Sequence, residues 1–515
     1  MTPDSIKEAE GGLYSNLRCR KFEAGAVAWR NFAETTRSDG GRLLALWGTD
    51  DCDRDGRLRI VACYLNAESL AVVEHAMDSC SKPLYPSLVE FFPSALRMER
   101  AVADLLGIQS MQPDHRGWLR HNGWPEGVFP LRRSFNASTQ YQLDSEPYSF
   151  IQVEGDGVHE IPVGPVHAGT IEPGHFRFSV VGEKVLRLEE RLGYAHKGIE
   201  KRFEELRQKE GHKLAARISG DSAVAYSWAY CAALESITQT TCPPRAAQLR
   251  ALALEHERIA NHLGDLGALG NDAGFAFGLT QFSRLKEDLL RIHQPIFGTR
   301  YLMDFIQPGG VAVNLPQDAP QLLLDHYAAL EISVSELRGI YENHAGVQDR
   351  FRGAGVLSNE IAVRLGAMGL AGRASGIAHD LRVDCPWHPY NDVTLKIATQ
   401  TTGDVAARVN VRFDEIVQSI MICRELLTNI ADGAIVSDVP DAAPGILGVG
   451  VIEGWRGPVL IALETGPSGM IRRCHAHDPS WQNWPLIEYA ILGNIVPDFP
   501  LINKSFNLSY SGQDG

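Results

Sequence analysis

Ionisable side chains crowd into glycine- and proline-rich sequence at one place above all in this chain. The segment Ile161–Phe178, IPVGPVHAGTIEPGHFRF, holds two His, one Glu, three Pro and three Gly. Glycines allow close backbone approach around a polar site. Glu172, between His167 and His175, is therefore a candidate for proton transfer. The competing reading is a carboxylate and two imidazoles bonded to structural groups. Two further clusters, Cys385-Pro386-Trp387-His388 and Cys474-His475-Ala476-His477-Asp478, offer ligand types that zinc or iron accepts. On a strand, His475 and His477 share one face while Cys474 points to the other, and no Cys-x-x-Cys pair occurs anywhere. Trp481 and Trp484 read as core or interface aromatics. Nucleotide and esterase chemistry lack support: there is no GxxxxGK loop and no GxSxG elbow, and Gly448-Val449-Gly450 alone is a weak dinucleotide signal.

These residues need elements to position them. The chain has 515 residues, 44% hydrophobic and 22% charged, enough for two or three domains with substantial cores. The pattern predicts an α+β protein: a small N-terminal α+β domain over residues 1–135, a polar linker over 136–150, and a mainly helical domain with antiparallel β-hairpins over 151–515. In the first domain, Arg57–Leu65 alternates with period 2 and Leu88–Leu106 is rich in helix formers. In the second, a helix from Ala246 to Leu266 presents Leu252, Ile259, Leu263 and Leu266 on one face, with Glu257 and Arg258 largely off it. Another carries Ile416, Ile420, Cys423 and Leu427, with Asp404 near its start. Gly448–Ile452 and Val459–Leu463 flank the turn Glu453–Pro458 as a hairpin.

Composition narrows the function classes. A net charge of −14 argues against a nucleic-acid surface, since nothing here would neutralise phosphates along an extended face. Nine cysteines at irregular spacing favour reduced thiols in a cytosolic setting over a disulfide framework. The N-terminus lacks the pattern of a secretory signal. No run of about 18 apolar residues occurs, so no direct membrane span is expected.

Several segments in order carry a family resemblance. Ile161–Phe178, Arg191–Glu204 (RLGYAHKGIEKRFE), Glu255–Asp265 (EHERIANHLGD), Pro308–Val311, Gly372–Arg382 (GRASGIAHDLR), Glu453–Gly457 (EGWRG) and Asp478–Asn503 resemble the large subunit of membrane-bound nickel–iron hydrogenases and the 49 kDa subunit of respiratory complex I. The first domain resembles the 30 kDa complex I subunit, through Glu99-Arg100 and Asp104–Ile108, although Ala101 replaces that family's usual second Glu. Trp124–Arg133 (WPEGVFPLRR) is similar to the fused, formate-hydrogenlyase type of hydrogenase.

The resemblance implies a nickel–iron centre held by four thiolates, because soft sulfur ligands hold both metals. Where it expects the first pair, this chain reads Arg217-Ile218-Ser219-Gly220-Asp221-Ser222. Where it expects the second, the chain reads Asn507-Leu508-Ser509-Tyr510-Ser511-Gly512. The four ligand positions thus carry Ser219, Ser222, Ser509 and Gly512, so no metal is expected and hydrogenase activity is not implied. By the same resemblance Glu172 matches a proton-transferring carboxylate, and Arg217, Asp380 and Arg382 lie near the ancestral metal site. The implied setting is the peripheral arm of a membrane-bound, complex-I-like oxidoreductase, peripheral on the cytoplasmic side. Its partners would be a small iron–sulfur subunit, in which the cluster resides, and antiporter-like membrane subunits. Two alternatives stay open: quinone reduction in an altered pocket using Ser219, Ser222, Tyr226 or His167, and a non-redox coupling or scaffold role.

Overall fold

The alternating run in the first domain forms the strand Arg57–Asn66, antiparallel to Arg42–Asp51 on one side and to Ser69–Met77 on the other. Cys19–Ala24 adds in parallel to Ser69–Met77, and Ile6–Glu8 closes a five-stranded sheet. Alternation fades from Ile60 onward because both faces are covered. Ile60, Ala62 and Tyr64 pack in one core with Trp29 of the helix Ala26–Ser38, whereas Val61, Cys63 and Leu65 pack with Val449, Val451 and Leu460 of a C-terminal sheet. The structure is a computed structural model that describes all residues except 1, 3, 10–12, 67–68, 79–80, 122, 143–146 and 169–170.

The helix-forming stretch at 88–106 is helical only over Ala95–Leu106, because Pro93 disfavours helix in the residue before it. Gly107 ends that helix at φ +71°, with the Phe129 ring packed where a Cβ would stand. From there to the strand Val158–Val163 the described residues contain one two-residue strand, Gln109–Ser110, and no helix. The strand Leu13–Ser15 pairs in parallel with Leu447–Val449, so the two halves of the chain share a hydrogen-bonded sheet.

The C-terminal half is built on the helices Ala223–Thr238, Pro244–Asp272, Ala276–Phe297, Ala319–Asn343 and Val405–Thr428. Pro244 opens the second of these, where a missing N–H is harmless, and Asp404 caps the last by accepting from Ala407 N at 2.8 Å. The long helix departs from the expected amphipathic pattern: Glu257 and Arg258 are buried along with its apolar stripe. Other elements surround it, so its charges must be paired inside the protein rather than solvated.

The expected hairpin forms Leu447–Glu453 and Pro458–Thr465, extended by Ile471–His477. Gly448 and Gly450 serve packing rather than phosphate binding: a Cβ on Gly450 would collide with the Ala229 carbonyl of the helix laid across the strand. Among the described residues no helix is long and apolar enough to cross a membrane. Seven cysteines form no disulfide, in line with reduced thiols rather than a disulfide framework, but Cys52 is disulfide-bonded and departs from that expectation. An odd count excludes complete pairing and leaves room for a single bond. Cys80 lies outside the described residues.

Candidate functional site: a polar cavity above a buried ionic cluster

Two tight turns meet to build the site. Arg217–Ser222 leads into the helix Ala223–Thr238, with Ser222 at its N-cap position. Asn507–Ser509 joins the helix Phe499–Phe506 to Tyr510–Asp514, and Asn507 reverses the chain at φ +45°. Between the turns is a cavity of about 510 Å³ whose lining includes Glu172, Ser219, Asp221, Arg456, Lys504 and Tyr510. That volume lies in the range of small-molecule sites.

Of the four residues at which the resemblance expects thiolates, three converge through hydrogen bonds. Ser219 Oγ lies 2.8 Å from Ser509 Oγ and donates to Asp221 Oδ1 at 2.6 Å. Ser509 Oγ in turn accepts from Gly512 N at 2.8 Å, while Ser509 N donates to Ser480 Oγ at 2.9 Å. Ser222 Oγ accepts from Arg456 Nη1 at 3.3 Å. Gly512 supplies no side-chain donor, and a Cβ there would stand 2.6 Å from Asp478 Oδ2. Neutral hydroxyls tied to a carboxylate, an arginine and the backbone do not fit a four-thiolate nickel–iron centre.

Arg456 forms the floor. Its guanidinium forks onto Asp221 at 2.9 and 2.5 Å and covers the Trp455 ring at 3.9 Å. Burial pushes the Asp221 carboxyl up, but Arg456 outweighs it and holds the group near 2. Behind this pair, Glu257 accepts from Val224 N at 2.7 Å and Ala225 N at 3.3 Å. Burial outweighs these two bonds and the nearby Arg258 and raises it to about 8. Asp514 receives Gly193 N and Ala195 N at 2.9 and 2.8 Å, and burial lifts it to about 7.

Glu172 lines the cavity, but it is exposed and accepts from Ser511 N at 3.0 Å. His167 and His175 donate to the backbone carbonyls of Gly174 at 2.8 Å and Gly164 at 3.2 Å, bonds that shape the loop rather than extend a relay from Glu172. Tyr226 is fully buried and donates to Asp478 at 2.8 Å instead of facing the cavity. Arg217 points to the surface and pairs with Asp304 at 2.6 Å, which corrects its placement beside the site. Its turn exposes the side chain while burying Ile218 and Ser219.

Asp380 and Arg382 also lie off the cavity, in a buried ionic cluster that spans five segments. Arg382 bridges Asp380 at 2.7 Å and Glu255 at 2.9 Å. Arg373 contacts Glu415 at 2.7 Å, Glu453 at 3.1 Å and Asp380 at 3.7 Å. Arg258 lies 3.5 Å from Glu255 and 3.4 Å from Glu415, and His262 is 2.7 Å from Glu415. Burial and the neighbouring Asp380 raise Glu453 to about 7. The cysteine–histidine clusters do not assemble a metal site. His388 bonds Asp392 at 3.0 Å, His475 bonds Glu200 at 2.5 Å beneath Trp47, and Cys474 is buried in the core. Among the described residues no group of three or more His, Cys, Asp or Glu is arranged to hold a metal ion.

Comparison with known proteins agrees with this architecture. The family model for the respiratory-chain NADH dehydrogenase 30 Kd subunit matches residues 23–141, and that for the 49 Kd subunit matches residues 272–446. Formate hydrogenlyase subunit 5 of Escherichia coli K12 is 30% identical over 484 residues, covering 92% of this chain and 85% of the relative. The NADH-quinone oxidoreductase C/D subunit of Phocaeicola vulgatus is 30% identical over 425 residues, 78% and 81% of the two chains. The chain belongs to the family of fused 30 kDa–49 kDa complex I and hydrogenase-type subunits. A chain of the archaeal membrane-bound sulfane sulfur reductase, a respiratory membrane complex, shares the fold with a TM-score of 0.66 at 23% identity, over 70% of this chain and 99% of that one.

Sequence reasoning missed Asp221, Glu257, Glu415 and Glu453 as members of the site. For three of them the signal was charge at positions that are buried, two in long helices and one ending a core strand; Asp221, half-buried in the turn between the two serines, carried no such signal.

Proposed function

We propose that the chain is a peripheral-arm subunit of a membrane-bound, complex-I-like oxidoreductase related to energy-converting hydrogenases, and that it works without a nickel–iron centre. The reading rests on one observation above the others. At the positions where the family resemblance expects thiolates, Ser219 and Ser509 are hydrogen-bonded to each other at 2.8 Å, Ser222 accepts from Arg456, and Gly512 has no donor group. In this reading the nearest redox cluster sits in a small iron–sulfur subunit, antiporter-like membrane subunits hold the assembly at the membrane, and the arm faces the cytoplasm. The chain supplies the cavity, its fixed charges and its buried proton-binding carboxyls. Membership in a family whose relatives include NADH-quinone oxidoreductase and formate hydrogenlyase subunits supports it.

A second reading places a quinone headgroup in the same cavity. Tyr510 lines it and accepts from Asn503 Nδ2 at 3.4 Å, which leaves the phenolic proton available to a ligand. Purification of the tagged chain from membranes in mild detergent, with mass spectrometry of its stoichiometric partners, tests the assembly. A cysteine-rich iron–sulfur subunit together with antiporter-like membrane proteins is the expected result. Recovery of neither would leave only the fold in common with the family.

A further inference from the structure

The ionic cluster beneath the cavity is one positive charge short. By direct contact it contains four carboxylates (Glu255, Asp380, Glu415 and Glu453), three guanidiniums (Arg258, Arg373 and Arg382) and the imidazole of His262. Every one of these side chains is at most 4% exposed. With His262 neutral, a fully ionised cluster would bury a net charge of about −1, which is costly enough to draw in a proton.

Two candidates could take it. His262 donates through Nε2 to Glu415 at 2.7 Å, and its buried Nδ1 has no hydrogen-bond partner among the described residues. Burial, with Arg412 and Arg258 nearby, outweighs the bond to Glu415 and lowers the proton affinity of this imidazole. His262 therefore stays neutral. Among the carboxylates, Glu255 is held by Arg382, Tyr390 and Ser419. Asp380 is held by the fork and the backbone N–H of Arg382, and Glu415 by Arg373, Arg258 and His262. Among the described residues Glu453 has only Leu381 N at 3.2 Å and Arg373 at 3.1 Å, a guanidinium it shares with two other carboxylates. It is the least compensated member.

We propose that Glu453 is a buried proton-binding site that holds the one proton this cluster requires, and that the turn running from Glu453 to Arg456 couples this proton to charge in the cavity. Glu453 ends its strand, and three residues later Arg456 grips Asp221 on the cavity floor. Arg258 fastens the start of the turn by donating to the Glu453 carbonyl at 2.9 Å. The charged groups acting on the carboxyl are Arg258 from the long helix, Arg373 from Gly369–Ala374, Asp380 and Arg382 from the segment after it, and Arg42 from the N-terminal sheet. Glu255 of the long helix and Glu415 of Val405–Thr428 are tied to it through the arginines they share. A ligand or electron that changes the charge at Asp221 and Arg456 thereby changes the affinity of Glu453 for its proton. The inference concerns this chain's own residues and does not depend on which partners the assembly contains.

Infrared difference spectra of the purified full chain, recorded between about pH 5 and about pH 9, read protonated carboxyls directly. Glu453→Gln is expected to remove one titrating carboxyl signal. Asp380→Asn balances the cluster at three charges of each sign, so it is expected to lower the proton affinity of Glu453 at least about tenfold. Asp221→Asn frees Arg456 to act on Glu453 and is expected to move its titration to lower pH. A wild-type spectrum that matches Glu453→Gln overturns the site. If Glu453→Gln does not fold, an unmoved titration in Asp380→Asn does so in its place. An unmoved titration in Asp221→Asn overturns the coupling.

Discussion

Replacing Glu257 with Gln should stabilise this protein, and the gain should grow with pH. Glu257 is 6% exposed, accepts two backbone N–H groups at the start of the helix Ala223–Thr238, and has burial raising its carboxyl from 4.5 to about 8. A carboxyl raised in the folded state contributes stability that is fully present below about pH 4.5 and is lost as pH rises toward about 8. Each pH unit in that window is worth about 1.4 kcal/mol. At pH 7 the wild type has therefore forfeited about 3 kcal/mol relative to acid, and above pH 8 about 5 kcal/mol. Glutamine keeps the carbonyl acceptor for Val224 and never ionises. Denaturant unfolding of both proteins should show no difference near about pH 4.5 and a gain of up to about 3 kcal/mol at pH 7, levelling off above pH 8. A gain that does not vary with pH would refute the assignment of Glu257 as a buried, protonated acid.

Three further substitutions probe the scaffold. Arg382→Ala strips the cluster of the cation shared by Glu255 and Asp380, and should cost about 3–5 kcal/mol at neutral pH by chemical denaturation; part of that loss should be recovered at lower pH, where the orphaned carboxylates take up protons. Ser509→Ala removes both the partner of Ser219 and the acceptor for Gly512 N, a loss of about 1–2 kcal/mol in the same assay. Arg217→Ala should change stability by less than about 1 kcal/mol, because its pair with Asp304 is exposed, and should leave cavity ligands unaffected in a binding titration.

The fold was largely legible because its signals are local. Asp404 before an apolar helix and Gly454 and Gly457 between two apolar runs led directly to a capped helix and a hairpin. The α+β class followed from the periodic patterns, and the family from motifs that keep their order along the chain. Harder to see was anything that depends on what lies across an interface. Glu257 and Arg258 read as lying off the apolar stripe, and helical periodicity does not tell which partners a second layer brings to the opposite face. The Gly448-Val449-Gly450 run read as a weak nucleotide signal because the Ala229 backbone it accommodates lies over two hundred residues away in sequence. Arg217, Asp380 and Arg382 were grouped with the cavity by their motifs, yet their side chains leave it in two directions: one to solvent and two into the ionic cluster. Ser219, Ser222, Ser509 and Gly512 were legible together, since each motif aligned residue by residue.

The most direct test of the account is metal analysis of the purified assembly that contains this chain, quantifying nickel and iron per copy. The account expects iron that accompanies an iron–sulfur partner and no stoichiometric nickel, with hydrogen uptake absent. One nickel per chain would contradict it, since hydroxyls from Ser219, Ser222 and Ser509 and a glycine at 512 would then have to do the work of four thiolates.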